Sequence, residues 1–367
     1  GSVGFLPARA PAGDGFSVRL IMNHRHPAYY RETRNHQAKK GGTCVYDRGL
    51  WILEQYGLTP KTTCKGRGVL LYETQEGWVS IKEFGGTKQK LEQQYALMEK
   101  VKNSGFPYLD CLRRNLEGEL LSCDREENAY VVRDWYTGKE CDTRSITDIE
   151  RAVEVLAGIH KVMQLEVKEE YVRESLIHEC IRHNTEIRKT RKFIQKRQKK
   201  NAFEMKLLAS MELFLRCGEE MVEELKNSDY EQLRADNLAA GSICHGDYNQ
   251  HNLLFAGNRT IITNFDKWNY DIQTADLYHF MRKILEKHNW DIAIGVGMLE
   301  TYQKVRALSS QELCDLRLRL SYPWKFWKLV NHYSNNNKVW ISGKNVEKLE
   351  QLQQQYGNWQ HFLKNAF

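Results

Sequence analysis

The chain has 367 residues, of which 41% are hydrophobic and 28% charged, with a formal net charge of +7. That balance excludes an intrinsically disordered chain, and no run approaches the roughly 18 uncharged apolar residues that a membrane-spanning helix needs. The nine cysteines are scattered and never spaced as Cys-x-x-Cys, which argues for reduced thiols rather than a disulfide framework or a zinc site.

At roughly 150 residues per domain the length suggests about two domains. Residues 1–42 read as a flexible leader. Gly1-Ser2 looks like a cloning remnant, Met22 offers a native start, and the segment is rich in Arg, His and Gly. It has no long apolar stretch of the secretory kind, which points to a cytoplasmic protein.

Residues 43–136 read as a β-rich lobe. A short helix over Asp47 to Tyr56 precedes strand-like runs over Leu58 to Lys65 and Gly68 to Glu73, placed around a Gly66/Gly68 turn. Gln75-Glu76-Gly77 makes a hairpin, and Trp78 to Phe84 alternates as a strand should. Lys82 lies near the end of that strand. A helix over Lys88 to Asn103 follows, with Leu91, Tyr95 and Met98 on one side. Glu92 and Glu99, seven apart, share a helix face, so either could pair with Lys82; Glu92 is preferred. Further strands are expected over Glu119 to Ser122 and Asn128 to Trp135. The change from β to α near Tyr136 is the domain boundary, and the Arg133, Asp134 and Trp135 backbone could bond the edge of an adenine stacked there.

Residues 137–367 read as mainly helical. Thr147-x-x-Glu150 has the form of a capping box. It opens a helix whose Ile149, Val153, Leu156, Ile159 and Met163 form a core stripe, with His160 a satisfied core histidine beside it. Val172 to Arg197 and Phe203 to Leu225 read as long helices. Eight basic residues and no acid fall between Arg188 and Lys200; this is a solvated helix face, or else a dock for an anionic partner.

The segment 243–276 carries the chemistry. Two apolar strands, Ile243-Cys244 onward and Ile261-Ile262 onward, each open into a polar loop. Asp247 and Asn252 stand five apart, the spacing at which phosphoryl-transfer kinases place a proton-accepting Asp and a magnesium-holding Asn. The second strand ends at Asn264-Phe265-Asp266, where a second metal-binding acid belongs. Cys244 reads as a small buried hydrophobe. Asp276 starts another helix, and Tyr302 to Leu308 and Gln311 to Ser321 continue the pattern, with Ser309-x-x-Glu312 as a second capping box. Tyr322, Trp324, Phe326, Trp327, Tyr333 and Trp340 read as core packing, with a substrate-pocket wall as the alternative.

Together, Lys82, Val131 to Gly138, Leu156-Ala157-Gly158-Ile159-His160, His245 to Asn252 and Asp276-Leu277 resemble the aminoglycoside phosphotransferase/choline kinase superfamily. Asn264 to Asp271 is most similar to CotS-type spore coat kinase-like proteins. The resemblance implies an α+β, two-lobed protein-kinase-like fold that uses ATP and Mg2+ to move the γ-phosphate to a hydroxyl. In it Asp247 would be the base, Lys82 the phosphate grip and Asp276 the brace of the catalytic loop. Asn252, Asn264 and Asp266 would be the metal-site residues. One position departs from the family: Asn264 stands where an Asp is usual, and Asp266 follows two places on. On an extended segment these two side chains would point the same way. Either Asp266 substitutes, or the chain is a weak or inactive pseudokinase serving as a structural component of the coat. The implied partners are a nucleotide, a small-molecule or protein acceptor and other coat proteins, without membrane or nucleic acid, and the implied place is the cytoplasm or the spore coat itself.

Overall fold

The structure, a computed structural model, describes residues 45–65, 69–336 and 343–367. The leader, the Gly66/Gly68 turn and Trp340 lie outside the described residues.

Helix α1 (Val45–Glu54) precedes strands β1 (Pro60–Lys65), β2 (Leu70–Thr74) and β3 (Gly77–Glu83), then helix α2 (Lys88–Asn103) and strands β4 (Ser122–Cys123) and β5 (Ala129–Asp134). The five strands form one antiparallel sheet in the order β1-β2-β3-β5-β4. Alternation of side chains along a strand gives the sheet two apolar faces. Tyr72, Val79, Ile81 and Val132 pack with Ile52 and Leu53 of α1, while Val131 packs with Leu91 of α2. Lys82 pairs across the strands with Val131 and so belongs to the α2 face. The strand expected over Glu119 to Ser122 is confined to β4. Its approach is instead a loop tied by Asn115, whose side chain accepts from the Glu117 and Glu119 amides.

The rest is chiefly helical: α3 (Ile146–His160), α4 (Leu176–Lys196), α5 (Ala202–Lys226), α6 (Tyr230–Ala239), α7 (Thr274–Lys287), α8 (Ile292–Val305), α9 (Ser310–Ser321), α10 (Trp324–Asn335) and α11 (Gly343–Asn365). The true cap of α3 is Ser145, whose hydroxyl accepts from Asp148 N, two residues before the expected box. At α9 the Ser309/Glu312 box is present with both of its bonds. A similar box at Asn201 and Glu204 opens α5. Tyr322, Trp324, Phe326 and Tyr333 are buried in the helical core, whereas Trp327 is half-buried and stacks on His183 at 3.6 Å between ring centres. The basic run is partly neutralised, because Arg188, Arg191 and Arg197 pair with Glu219, Glu212 and Glu204 of α5. No described helix is long and apolar enough to cross a membrane.

Short strands carry the central loops between these helices. Strand β7 (Ile243–Cys244) pairs with β10 (Asn269–Tyr270), and β6 (Lys139–Glu140), β8 (Leu253–Ala256) and β9 (Arg259–Ile262) form a small sheet in the order β6-β8-β9. The segment linking α2 to β4 docks on this sheet, where Ile262 N donates to Tyr108 O at 3.1 Å. The next residues of that segment therefore lie beside the loop after β9.

Candidate active site

The loop after β7 is built from the backbone outward. Asp276, buried at the start of α7, accepts from His245 N at 2.6 Å, from Gly246 N at 3.0 Å and from His160 Nε2 at 3.1 Å. His160 Nδ1 in turn meets the Tyr302 hydroxyl at 2.7 Å. His160 is thus a satisfied core histidine, but its partner is the carboxylate that braces this loop. Burial opposes the charge on Asp276; His160, His245 and the Gly246 amide outweigh it and hold the carboxyl below its ordinary value.

His245 accepts at Nδ1 from Asp247 N at 3.2 Å and donates from Nε2 to Thr263 O at 2.9 Å. That pattern fits one neutral tautomer, and burial lowers the ring's pKa. Gly246 has φ +81°, and a Cβ there would stand 2.0 Å from Lys267 O. Only glycine lets the two loops approach so closely.

Asp247 and Asn252 are joined directly. Asn252 Nδ2 donates to the Asp247 carbonyl at 2.8 Å, which leaves the Asn252 side-chain oxygen for another partner. The Asp247 carboxylate accepts from Asn249 Nδ2 at 2.9 Å and from Lys267 Nζ at 3.1 Å, with His279 Nε2 at 3.7 Å. His279 and then Lys267 outweigh partial burial and hold this carboxyl well below the usual range. At 3.7 Å the His279 contact is long for a hydrogen bond; Lys267 makes the shorter one.

The second loop differs from the extended segment expected of it. Asn264 is left-handed, at φ 64° and ψ 58°, and Phe265–Lys267 form a single tight turn. Asn264 N donates to Asp110 Oδ2 at 2.9 Å. Asp266 is carried toward the β-rich lobe, where it accepts from Arg133 Nη2 at 2.6 Å, Lys82 Nζ at 3.1 Å and Gln94 Nε2 at 3.2 Å. Burial pushes its carboxyl up, but Arg133 and Lys82 prevail and hold it at about 2. Arg133 also lies 3.6 Å from Asp110 Oδ2, and burial raises that second carboxyl to about 6.

Two expectations need correction here. Glu92 does not meet Lys82; it forms a two-pronged pair with Arg114, and the α2 residue at the cleft is Gln94. Arg133 contributes its guanidinium, not a free backbone edge. The neighbouring amides of Asp134 and Trp135 donate to Cys111 O and Trp78 O at 2.9 Å each, so neither donor is open to an adenine. Asp134 itself accepts from Arg113 Nε at 2.7 Å. Gln94, Asp110, Lys267 and His279 carry no motif in the sequence. Only the fold brings them in.

Consecutive residues thus join the two halves: Asp266 reaches Lys82 of β3, and Lys267 reaches Asp247 of the loop after β7. Among the described residues no group of three or more His, Cys, Asp or Glu side chains could hold a metal ion. The oxygen donors at hand are the Asn252 and Asn264 amides and the Asp266 carboxylate. Magnesium commonly takes one or two carboxylates and completes its shell with water and phosphate oxygens, so this sparse set fits it once Asp266 is released from its cations.

A lysine-bearing antiparallel lobe set over a carboxylate-braced loop defines the class: the fold is kinase-like, of the kind seen in aminoglycoside phosphotransferases. An aminoglycoside phosphotransferase from Alicyclobacillus acidocaldarius superposes with a TM-score of 0.77 at 16% identity, covering 90% of this chain and 96% of that one. Spectinomycin phosphotransferase APH(9)-Ia, solved with ADP and spectinomycin, gives 0.57 at 11% identity over 87% of this chain and 98% of its own. Within that class the chain belongs to the family described as "Spore coat putative kinase YutH", which it matches over residues 50–366. Spore coat protein S of Bacillus subtilis (strain 168) is 22% identical over 293 residues, 77% of this chain and 82% of that protein.

Proposed function

We propose that this chain is an ATP-dependent phosphotransferase acting on a hydroxyl acceptor in the setting of the spore coat. The observation that carries the reading is the Asp247 carboxylate, ionised and oriented by Lys267 on a loop fixed by Asp276. An ionised carboxylate in that position accepts the proton of an attacking hydroxyl as the oxygen–phosphorus bond forms. Lys82, released from Asp266, binds the phosphates of the nucleotide. Asn252 and Asp266 are the residues that would hold magnesium, which when bound neutralises charge on the transferring phosphoryl group. The amicoumacin kinase hAmiN, solved with AMP-PNP and Ca2+, has a related fold at a TM-score of 0.51, which supports nucleotide and divalent-cation use here.

The test compares the parent protein with Asp247→Asn. ATP turnover should fall by about 100- to 10,000-fold, the usual contribution of a positioned base, while ADP still raises the melting temperature. Equal turnover in the two proteins rejects the role given to Asp247. A second reading, a pseudokinase serving as a binding component of the coat, is favoured by Asn264 and by the occupation of Asp266 by Arg133 and Lys82. ATP turnover that depends on Mg2+ and disappears in the Asp247 variant rules it out.

A further inference from the structure

The ground beyond Asp247 is basic. His279 and Lys283 stand one turn apart on α7, so they share a face, and His279 already lies 3.7 Å from Asp247. Helix α10 closes on α7 through Tyr278 and Trp324, whose ring centres are 6.1 Å apart. One turn after Trp324 comes Lys328, which is exposed. Glu286 of α7 is shared by Arg282 at 2.6 Å and Lys325 at 4.0 Å. Among the described residues Lys267 has only Asp247 as an ion-pair partner, and neither Lys283 nor Lys328 forms an ion pair. Both of these ammonium groups feel the Asp247 charge, although burial and neighbouring cations lower the pKa of the half-buried Lys283. Lys267 thus contacts the carboxylate directly, and Lys283 and Lys328 add positive charge within its electrostatic reach. A polycationic acceptor would be repelled from such a surface, and an anion drawn to it.

We propose that the acceptor is a hydroxyl-bearing anion, seated with its negative charge on Lys283 and Lys328 and its hydroxyl at Asp247. The proposal rests on the phosphotransferase reading. In the step it implies, the acceptor oxygen bonds to the γ-phosphorus as the bond to the β-phosphate oxygen breaks. ADP leaves with that electron pair, and the hydroxyl proton passes to Asp247 and then to solvent.

The test is calorimetric binding to the full chain kept saturated with ADP, so that the phosphate-binding ground of the nucleotide is filled. Three six-carbon polyhydroxy probes serve: D-gluconate, neutral D-glucitol and cationic D-glucosamine. Gluconate should bind about tenfold or more tighter than either other probe, a difference on the scale of one or two charge contacts. Lys283→Gln with Lys328→Gln should erase that preference. Glucosamine binding as well as gluconate, or gluconate binding unaltered in the variant, overturns the proposal. An acidic serine peptide, run against its glutamine counterpart, separates an acidic protein segment from a small sugar acid as the source of the charge. ADP release from ATP by the same proteins, prepared free of ADP, tests the transfer reading by itself. Gluconate bound without turnover sinks that reading and leaves the anion-selective ground standing.

Discussion

Asp271, buried just after β10, has its carboxyl pushed up to about 6 by burial, with Arg319 only partly opposing. The folded state therefore favours the protonated form. Its contribution to stability is complete below the unfolded pKa near 4 and is lost as pH rises through about 6. A shift of roughly two pH units corresponds to about 3 kcal/mol. Asp271→Asn keeps an oxygen for Ile272 N, and Arg319 keeps Asp315 at 2.7 Å, so the variant leaves no charge stranded. Urea unfolding across this window should show the parent losing up to about that amount relative to Asp271→Asn as pH rises. Parallel stability curves would refute the shift. Asp266 behaves in the opposite sense. Held at about 2, it stabilises above its unfolded pKa and loses that contribution only in strong acid.

The loop after β7 takes its shape from one carboxylate on another element. Asp276→Ala would leave the buried His245 and Gly246 amides and His160 without their acceptor. At about 1–3 kcal/mol for each unsatisfied buried group, destabilisation of at least about 3 kcal/mol is expected from denaturant unfolding. Asp276→Asn keeps an acceptor oxygen and should fall between the two. Since Asp276 is buried and acts on the loop backbone, the milder variant should lower kcat more than it raises KM for ATP; the reverse split would place Asp276 in nucleotide binding. This loop was largely readable in the residues, because the Asp247/Asn252 spacing and the Asp276-Leu277 pair are local patterns. What joins the lobes was not readable. Glu92 and Glu99 share a face by spacing, but α2 turns Leu91, Gln94, Leu97, Met98 and Val101 inward, and that burial aims Gln94 at the cleft and Glu92 at Arg114. Asn264 likewise conceals its geometry: a left-handed residue there breaks the extended chain, and an alternation argument then fails for Asp266. The Ser145 cap escaped for a simpler reason, since two hydroxyl residues two apart both precede an acid at helical spacing.

On the scale of the whole molecule, Arg133 is the pivot between the lobes. It is buried, extends from β5, and meets Asp110 of the connecting segment and Asp266 of the mainly helical half. Its guanidinium compensates the charge of two carboxylates at a place from which water is largely excluded. Arg133→Met should therefore cost about 3–5 kcal/mol, the range for removing one partner of a buried pair, because Asp110 and Asp266 are left to repel each other. Adding Asp266→Asn should recover part of that loss, and the two changes together should be less damaging than their sum. The deficit of the single variant should also shrink below about pH 4, where both carboxyls can take up a proton. Urea unfolding of the four proteins in this cycle reads each term directly. A loss under about 1 kcal/mol in Arg133→Met, below the penalty for one unsatisfied buried group, would mean that the lobes are held by packing and that Asp266 is free to serve a metal without first being released.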